Sequence, residues 1–186
     1  TTHPQSQTVN EGQPATFTVV ATGSGPLTYQ WRHDGIDIPG ANASSLTLPV
    51  VLGDDAGVYT VRVSNAGGSV TSNPASLTVR VAPTIVSHPQ GQTVDPGASV
   101  TLTVVADGTA PLTYQWRKNG AVVAGATNTS LALNAIGHAD GGSYNVTIQN
   151  QAGLAVSQSA SVIVRPVITS FQRLPDGRFQ IIYSGT

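Results

Sequence analysis

The residues able to bind a metal or move a proton are few: four histidines and nine carboxylates in 186 residues, with no cysteine. His3, His33, His88 and His138 have no spacing that sets two of them on one strand or helix face as metal ligands. His3 and His88 each stand beside a proline in two copies of one motif, a place that reads as a shared feature at the start of a strand. The neighbours Asp54 and Asp55 could offer oxygens to calcium, which takes six or more. Asp55 has its counterpart in Asp140, but Ala139 replaces Asp54, so no repeated calcium site is expected. No Gly-x-Ser-x-Gly elbow is present, no glycine-rich phosphate loop precedes a helix, and no acid pair stands out as a hydrolytic dyad. Zero cysteine excludes a thiol nucleophile, Cys-ligated zinc and a disulfide framework. No catalytic, cofactor-binding or metal-ligating residue is therefore expected, no cofactor is implied, and the chain is expected not to be an enzyme. Asn42-Ala43-Ser44, Asn128-Thr129-Ser130 and Asn145-Val146-Thr147 fit the glycosylation pattern, a match that a chain rich in Asn, Ser and Thr produces by chance.

The surrounding composition narrows the partners. Charged residues make up 9% of the chain and the formal net charge is −1. With no basic stripe to neutralise phosphates, nucleic acid and anionic membranes are not expected as partners. No apolar run approaches the roughly 18 residues of a membrane helix, so no membrane insertion is expected. The 39% hydrophobic content suffices for a packed core, and 20 Gly, 12 Pro and abundant Val and Thr favour short strands and turns. The absence of Met suggests a fragment or a processed product, and no signal peptide can be read.

The elements that hold these residues come in two copies. His3-Pro4-Gln5 recurs as His88-Pro89-Gln90, and residues 26–32, Pro-Leu-Thr-Tyr-Gln-Trp-Arg, recur at 111–117, both at an offset of 85. The same offset takes Asp55, Gly57 and Tyr59 to Asp140, Gly142 and Tyr144 without a gap. Such self-similarity indicates duplication of a module rather than two halves of one fold. The expected organisation is residues 1–81 and 82–165 as two domains, with 166–186 as the start of a further β module or a C-terminal hairpin. In that last segment, two short strands flank Pro175-Asp176-Gly177. Its run from Phe171 to Phe179 resembles the opening of fibronectin-like modules of large secreted bacterial proteins.

Within a repeat, apolar residues alternate with polar ones, the period of a half-buried strand. Ala15, Phe17, Val19 and Ala21 share one face of a strand over 15–22, and Leu27, Tyr29 and Trp31 one face of the next. Further strands are expected over 45–50, 58–64 and, continuously, 68–81. A proline-broken first strand over 2–9 and a short one at 36–38 bring the count to about seven. That number of short alternating strands in about 85 residues predicts an all-β chain of two antiparallel two-sheet sandwiches. Every aromatic of the two repeats falls on the inward side of its strand, which leaves no exposed ring for stacking on a sugar.

Gly12, Phe17-Thr18-Val19, Trp31, residues 55–61 (Asp-Ala-Gly-Val-Tyr-Thr-Val) and Asn65 resemble the intermediate-set immunoglobulin-like pattern. The second copy repeats it with Gly97, Leu102-Thr103-Val104, Trp116, Tyr144 and Asn150. The resemblance implies Greek-key topology, a core Trp on the third strand and a tyrosine corner at Tyr59 and Tyr144. Where the family commonly carries its inter-sheet disulfide, this chain has Val19 with Val61 and Val104 with Val146. The style looks like that of bacterial extracellular repeat proteins, secreted or on the cell surface. The role expected is a non-catalytic spacer or adhesion module of a larger protein, with an unknown protein or glycan, or other domains of the same chain, as partner. The alternative is an accessory, carbohydrate-binding module on a secreted hydrolase. The junction Val81-Ala82-Pro83 is short, lacks Gly and Ser, and is expected to be stiff. Pro4 and Pro89 interrupt edge strands, which favours a monomer.

Overall fold

The computed structural model describes residues 2–184, with only the backbone described at 183 and 184. The chain divides into two compact units, Thr1–Ala82 and Pro83–Thr186, and forms no α-helix among the described residues.

The first unit contains β1 (Gln7–Asn10), β2 (Ala15–Thr18), β3 (Thr28–His33), β4 (Ile36–Asp37), β5 (Ser45–Leu48), β6 (Gly57–Asn65), β7 (Gly68–Thr71) and β8 (Ala75–Arg80). One sheet runs β1-β8-β6-β3-β4, with β7 also on β6, and the other pairs β2 with β5. Alternation puts Tyr59, Val61 and Val63 of β6 in the core and leaves Val58 and Arg62 exposed. Ala15 and Phe17 of β2, followed by Val19, meet them from the opposite sheet. Trp31 is fully buried between the layers, and its indole N–H donates to the carbonyl of Ala43 at 3.0 Å. A buried indole without such an acceptor would carry an unmet donor. Tyr29 packs half-buried against the same core. Val19 and Val61, in place of a disulfide, are both buried in it.

Pro4 explains how one N-terminal segment serves both sheets. Thr2 exchanges backbone hydrogen bonds with Val20, beyond the end of β2. After the buried Pro4, which cannot continue a ladder as a donor, the chain crosses over and β1 pairs in parallel with β8, from Gln7↔Leu77 to Asn10↔Arg80.

The second unit repeats this plan with β9 (Thr84–Ser87), β10 (Gln92–Val94), β11 (Val100–Thr103), β12 (Val105–Asp107), β13 (Thr113–Lys118), β14 (Ala121–Val122), β15 (Ser130–Leu133), β16 (Gly142–Gln149), β17 (Leu154–Val156) and β18 (Ala160–Val164). Its larger sheet runs β10-β18-β16-β13-β14, with β17 on β16; β11 pairs with β15 and β9 with β12. Val104, Trp116, Tyr144 and Val146 occupy its core, and Trp116 donates to the carbonyl of Asn128 at 2.9 Å. The predicted all-β pair of sandwiches is thus the architecture that the chain adopts.

The sequence predicts one continuous strand over 68–81; the structure breaks it. Residues Ser72-Asn73-Pro74 separate β7 from β8, although both lie antiparallel to β6. Proline alone is not the cause, because the second repeat has Ser159 at this place and is broken in the same way between β17 and β18. Ser72 and Ser157 instead take over the ladder, each accepting a neighbouring strand's N–H on its hydroxyl oxygen, from Val61 at 3.1 Å and Val146 at 3.0 Å.

The final strands, β19 (Val167–Arg173) and β20 (Phe179–Ser184), pair only with each other among the described residues. Phe171 and Phe179 are 69% and 73% exposed, so these two rings stand in solvent.

Candidate functional site

The four histidines and the turn carboxylates are where chemistry would have to begin, and each is held by a structural bond or lies apart from the others. Nδ1 of His3 accepts the N–H of Asn73 at 3.2 Å, and Nδ1 of His88 accepts that of Gln158 at 3.1 Å. These N–H groups lie in the break between the strand halves, so the histidine beside each proline fills the gap in the last strand. The contact spans 70 residues in both copies, from 3 to 73 and again from 88 to 158, because the module is duplicated. His33 stacks on Tyr59 with ring centroids 4.6 Å apart. Lys118 takes its place in the second repeat, with its ammonium 5.8 Å from the centre of the Tyr144 ring. No group of three or more His, Asp or Glu suited to a metal occurs among the described residues.

Asp55 and Asp140 cap the turns that precede β6 and β16. Their carboxylates accept the N–H groups of Leu52 at 2.7 Å and Gly137 at 2.8 Å, while their carbonyls accept the Tyr59 and Tyr144 hydroxyls at 2.8 and 2.7 Å. This is the tyrosine corner that the sequence implies. Burial, then the carboxylates of Asp55 and Asp34, push the Tyr59 phenol up to about 12. Tyr144 is raised by burial and then by Asp140. Each phenol is held protonated as a donor, the opposite of what a catalytic base requires.

The turn joining β3 to β4 and the turn joining β13 to β14 are built alike. Asp34 and Gly35 have φ of 46° and 83°, and Asn119 and Gly120 have 48° and 83°. Positive φ at both central residues is the mark of the two-residue hairpin that Asp-Gly and Asn-Gly favour. The Asp34 carboxylate accepts the N–H of Val58, and the Asn119 amide oxygen that of Ser143, both at 2.8 Å. Gly57 and Gly142 have φ of 154° and 149°, a conformation that strains any L side chain, and a Cβ there would also lie 2.8 Å from Oδ2 of Asp34 or 2.8 Å from Oδ1 of Asn119, so glycine suits both places.

Two open grooves lie at the loop ends. In the first repeat, a groove of about 300 Å3 is lined by Thr22, Leu27, Val63, Asn65, Ser69 and Val70, among others, with no charged side chain. Asn65 forms its wall by donating to the carbonyl of Ser24 at 2.8 Å and accepting from Gly67 at 2.9 Å. In the second repeat, Asn150 donates to Thr109 in the same way, beside a groove of about 410 Å3 bounded by Pro111, Thr113 and Gln149. These surfaces offer neutral hydrogen-bonding groups over a small apolar floor, without an ionised group or an exposed ring.

Comparison with known proteins agrees with this frame. Residues 1–65 and 82–150 match the family model of the immunoglobulin domain. The chain is 32% identical over 175 residues to the basement membrane-specific heparan sulfate proteoglycan core protein of Mus musculus, covering 91% of this chain and 5% of that protein. It is 31% identical over 175 residues to endoglucanase C of Cellulomonas fimi, covering 89% of this chain and 16% of the enzyme. The chain thus spans a small part of each of these relatives. Among solved structures, the I-band fragment I67-I69 from titin superposes with a TM-score of 0.73 at 24% identity, over 90% of this chain and 66% of that one. Both repeats carry the core Trp, the tyrosine corner and the two-sheet order, and the chain belongs to the immunoglobulin-domain family.

Proposed function

We propose that these two immunoglobulin-like domains form a non-catalytic spacer or interaction module of a larger secreted or cell-surface protein. One observation carries this reading: the groups that could do chemistry, His3 and His88, Asp55 and Asp140, Tyr59 and Tyr144, make the same structural bond in both repeats. Bonds repeated in both copies mark these groups as parts of the fold common to the two domains. The likeness to a basement-membrane proteoglycan supports an extracellular setting. The module acts as a monomer without nucleic acid or membrane insertion, and its partner is a protein or a glycan that meets the neutral loop-end grooves, or other domains of its own chain.

The short Pro-containing junction Val81-Ala82-Pro83 supports the spacer role. Small-angle X-ray scattering tests it: a narrow distribution of distances between the repeats is expected, and a broad one overturns the spacer reading.

The similarity to endoglucanase C favours a second reading, an accessory module of a secreted hydrolase. Sedimentation with insoluble cellulose separates the two. Recovery of the chain in the pellet supports the accessory role, and a chain that stays in the supernatant supports the spacer.

A further inference from the structure

The two repeats differ chemically at one otherwise identical turn, and this difference defines a modification site. Asn119-Gly120 is the one Asn-Gly pair in the sequence, and its counterpart at the same φ angles is Asp34-Gly35. We propose that Asn119 undergoes spontaneous deamidation by water, and that the aspartate formed is retained in the native turn because repeat one already holds an aspartate there.

The reaction needs the main-chain nitrogen of the following residue to reach the side-chain carbonyl carbon. Gly120 has no side chain to obstruct it, a Cβ built there would meet nothing within 4 Å, and its N–H makes no backbone hydrogen bond among the described residues. The Ser143 N–H, bonded to Oδ1 of Asn119 at 2.8 Å, polarises the carbonyl and makes its carbon more electrophilic. Nδ2, the nitrogen to be expelled, has no hydrogen-bond partner among the described residues, and the residue is exposed.

The step balances without an oxidant or reductant. The Gly120 nitrogen gives up its proton to solvent and bonds to Cγ of Asn119; the Cγ–Nδ2 bond breaks and ammonia leaves, closing a succinimide. Water then adds at Cγ and the new Cγ–N bond breaks, restoring the main chain with a carboxylate on the side chain. The net change is one water consumed and one ammonia released. Water adding instead at the main-chain carbonyl would give an isoaspartate, which inserts a methylene into a two-residue turn fixed by the pairs Lys118↔Ala121 and Arg117↔Val122.

The turn is ready for the first product. Asp34 accepts the Val58 N–H at the distance at which Asn119 accepts that of Ser143, and it lies 3.5 Å from His33. In the second repeat the residue preceding the turn is Lys118, whose ammonium donates to the carbonyl of Ala139.

The test is to incubate the folded chain at mildly alkaline pH, with a urea-unfolded sample and the variant N119Q in parallel, and to locate mass changes by tandem mass spectrometry after proteolysis. A one-dalton gain at Asn119 is expected, absent from N119Q, in a product that co-elutes with N119D and gives the aspartyl rather than the isoaspartyl fragments. A folded chain that gains nothing while the unfolded chain converts fully overturns the site. A product that is mainly isoaspartate overturns the retention of the native turn.

Discussion

The imidazole of His88 accepts the main-chain N–H of Gln158 through Nδ1 at 3.1 Å, across 70 residues of sequence. This bond ties the segment before β10 to the break between β17 and β18. The proline that follows His88 stops the first strand from continuing, and the histidine satisfies the donor that the last strand cannot pair. H88A is expected to cost about 1 kcal/mol, the usual net value of one such bond. H88N, whose amide oxygen can stand near the place of Nδ1, should recover most of the loss. Urea unfolding of the three chains checks this, and equal losses in both variants would show that the ring's packing matters rather than its acceptor.

Much of this architecture was legible because the chain states it twice. The alternation of Phe17 and Val19, and of Tyr59, Val61 and Val63, set the inward faces, and these residues are buried as expected. Asp55 and Asp140 recur at the offset of 85, four residues before the tyrosines of the expected corners, and they cap the turns there. What could not be read was the break at residues 72–74. The ladder passes there to a serine hydroxyl, and the N–H left over is accepted by a histidine from the far end of the domain; periodicity along one strand carries no information about a partner 70 residues away. The loop-end grooves were hidden for a different reason: Asn65 and Ser69 are also ordinary turn residues, so their types do not distinguish a wall from a bend.

Tyr59 makes stability depend on alkaline pH. Its phenol ionises at an ordinary value of 10.0 when unfolded and is raised to about 12 in the fold, first by burial and then by Asp55 and Asp34. A raised value means that the folded chain holds the proton more tightly, so the contribution is complete below 10.0 and is lost as pH rises towards about 12. The first domain should therefore weaken across that interval. Y59F should lose about 1 kcal/mol at neutral pH with the bond to the Asp55 carbonyl, and show a flatter decline in alkali. Urea midpoints from neutral pH into that range measure both effects, and an unchanged alkaline slope in Y59F would assign the decline to other groups.

Asn145 marks a place where the second repeat is less well resolved energetically than the first. Its Oδ1 is buried without a hydrogen-bond partner, while the corresponding residue of repeat one is Thr60, and each faces an arginine of the neighbouring strand, Arg117 or Arg32. A buried acceptor left unpaired carries a desolvation penalty of about 1–3 kcal/mol, and threonine suits a strand better than asparagine. N145T should raise the stability of the second domain by about 1 kcal/mol. A thermal melt of the variant decides the matter, and a lower midpoint would mean that the amide is satisfied by solvent.

The valine pairs bear on how a domain of this family holds its sheets without a covalent bridge. Val104 and Val146 are 2% and 0% exposed and share one core with Trp116. A native disulfide is typically worth about 2–5 kcal/mol to a small domain, and burying a valine side chain contributes about 1.5–3 kcal/mol, so two valines supply an effect of the same order by packing. Removing two carbons from either side chain should cost about 2 kcal/mol, from roughly 0.8 kcal/mol for each carbon and the cavity left behind. Because the two residues belong to one packed cluster, V104A and V146A together should depart from the sum of the single losses by at least about 0.5 kcal/mol. V104A combined with V19A, in separate domains, should be additive. Guanidinium unfolding of the parent chain, the three single variants and the two double variants tests this, and strictly additive losses for V104A and V146A would show that the two valines stabilise their own sheets without bracing them against each other.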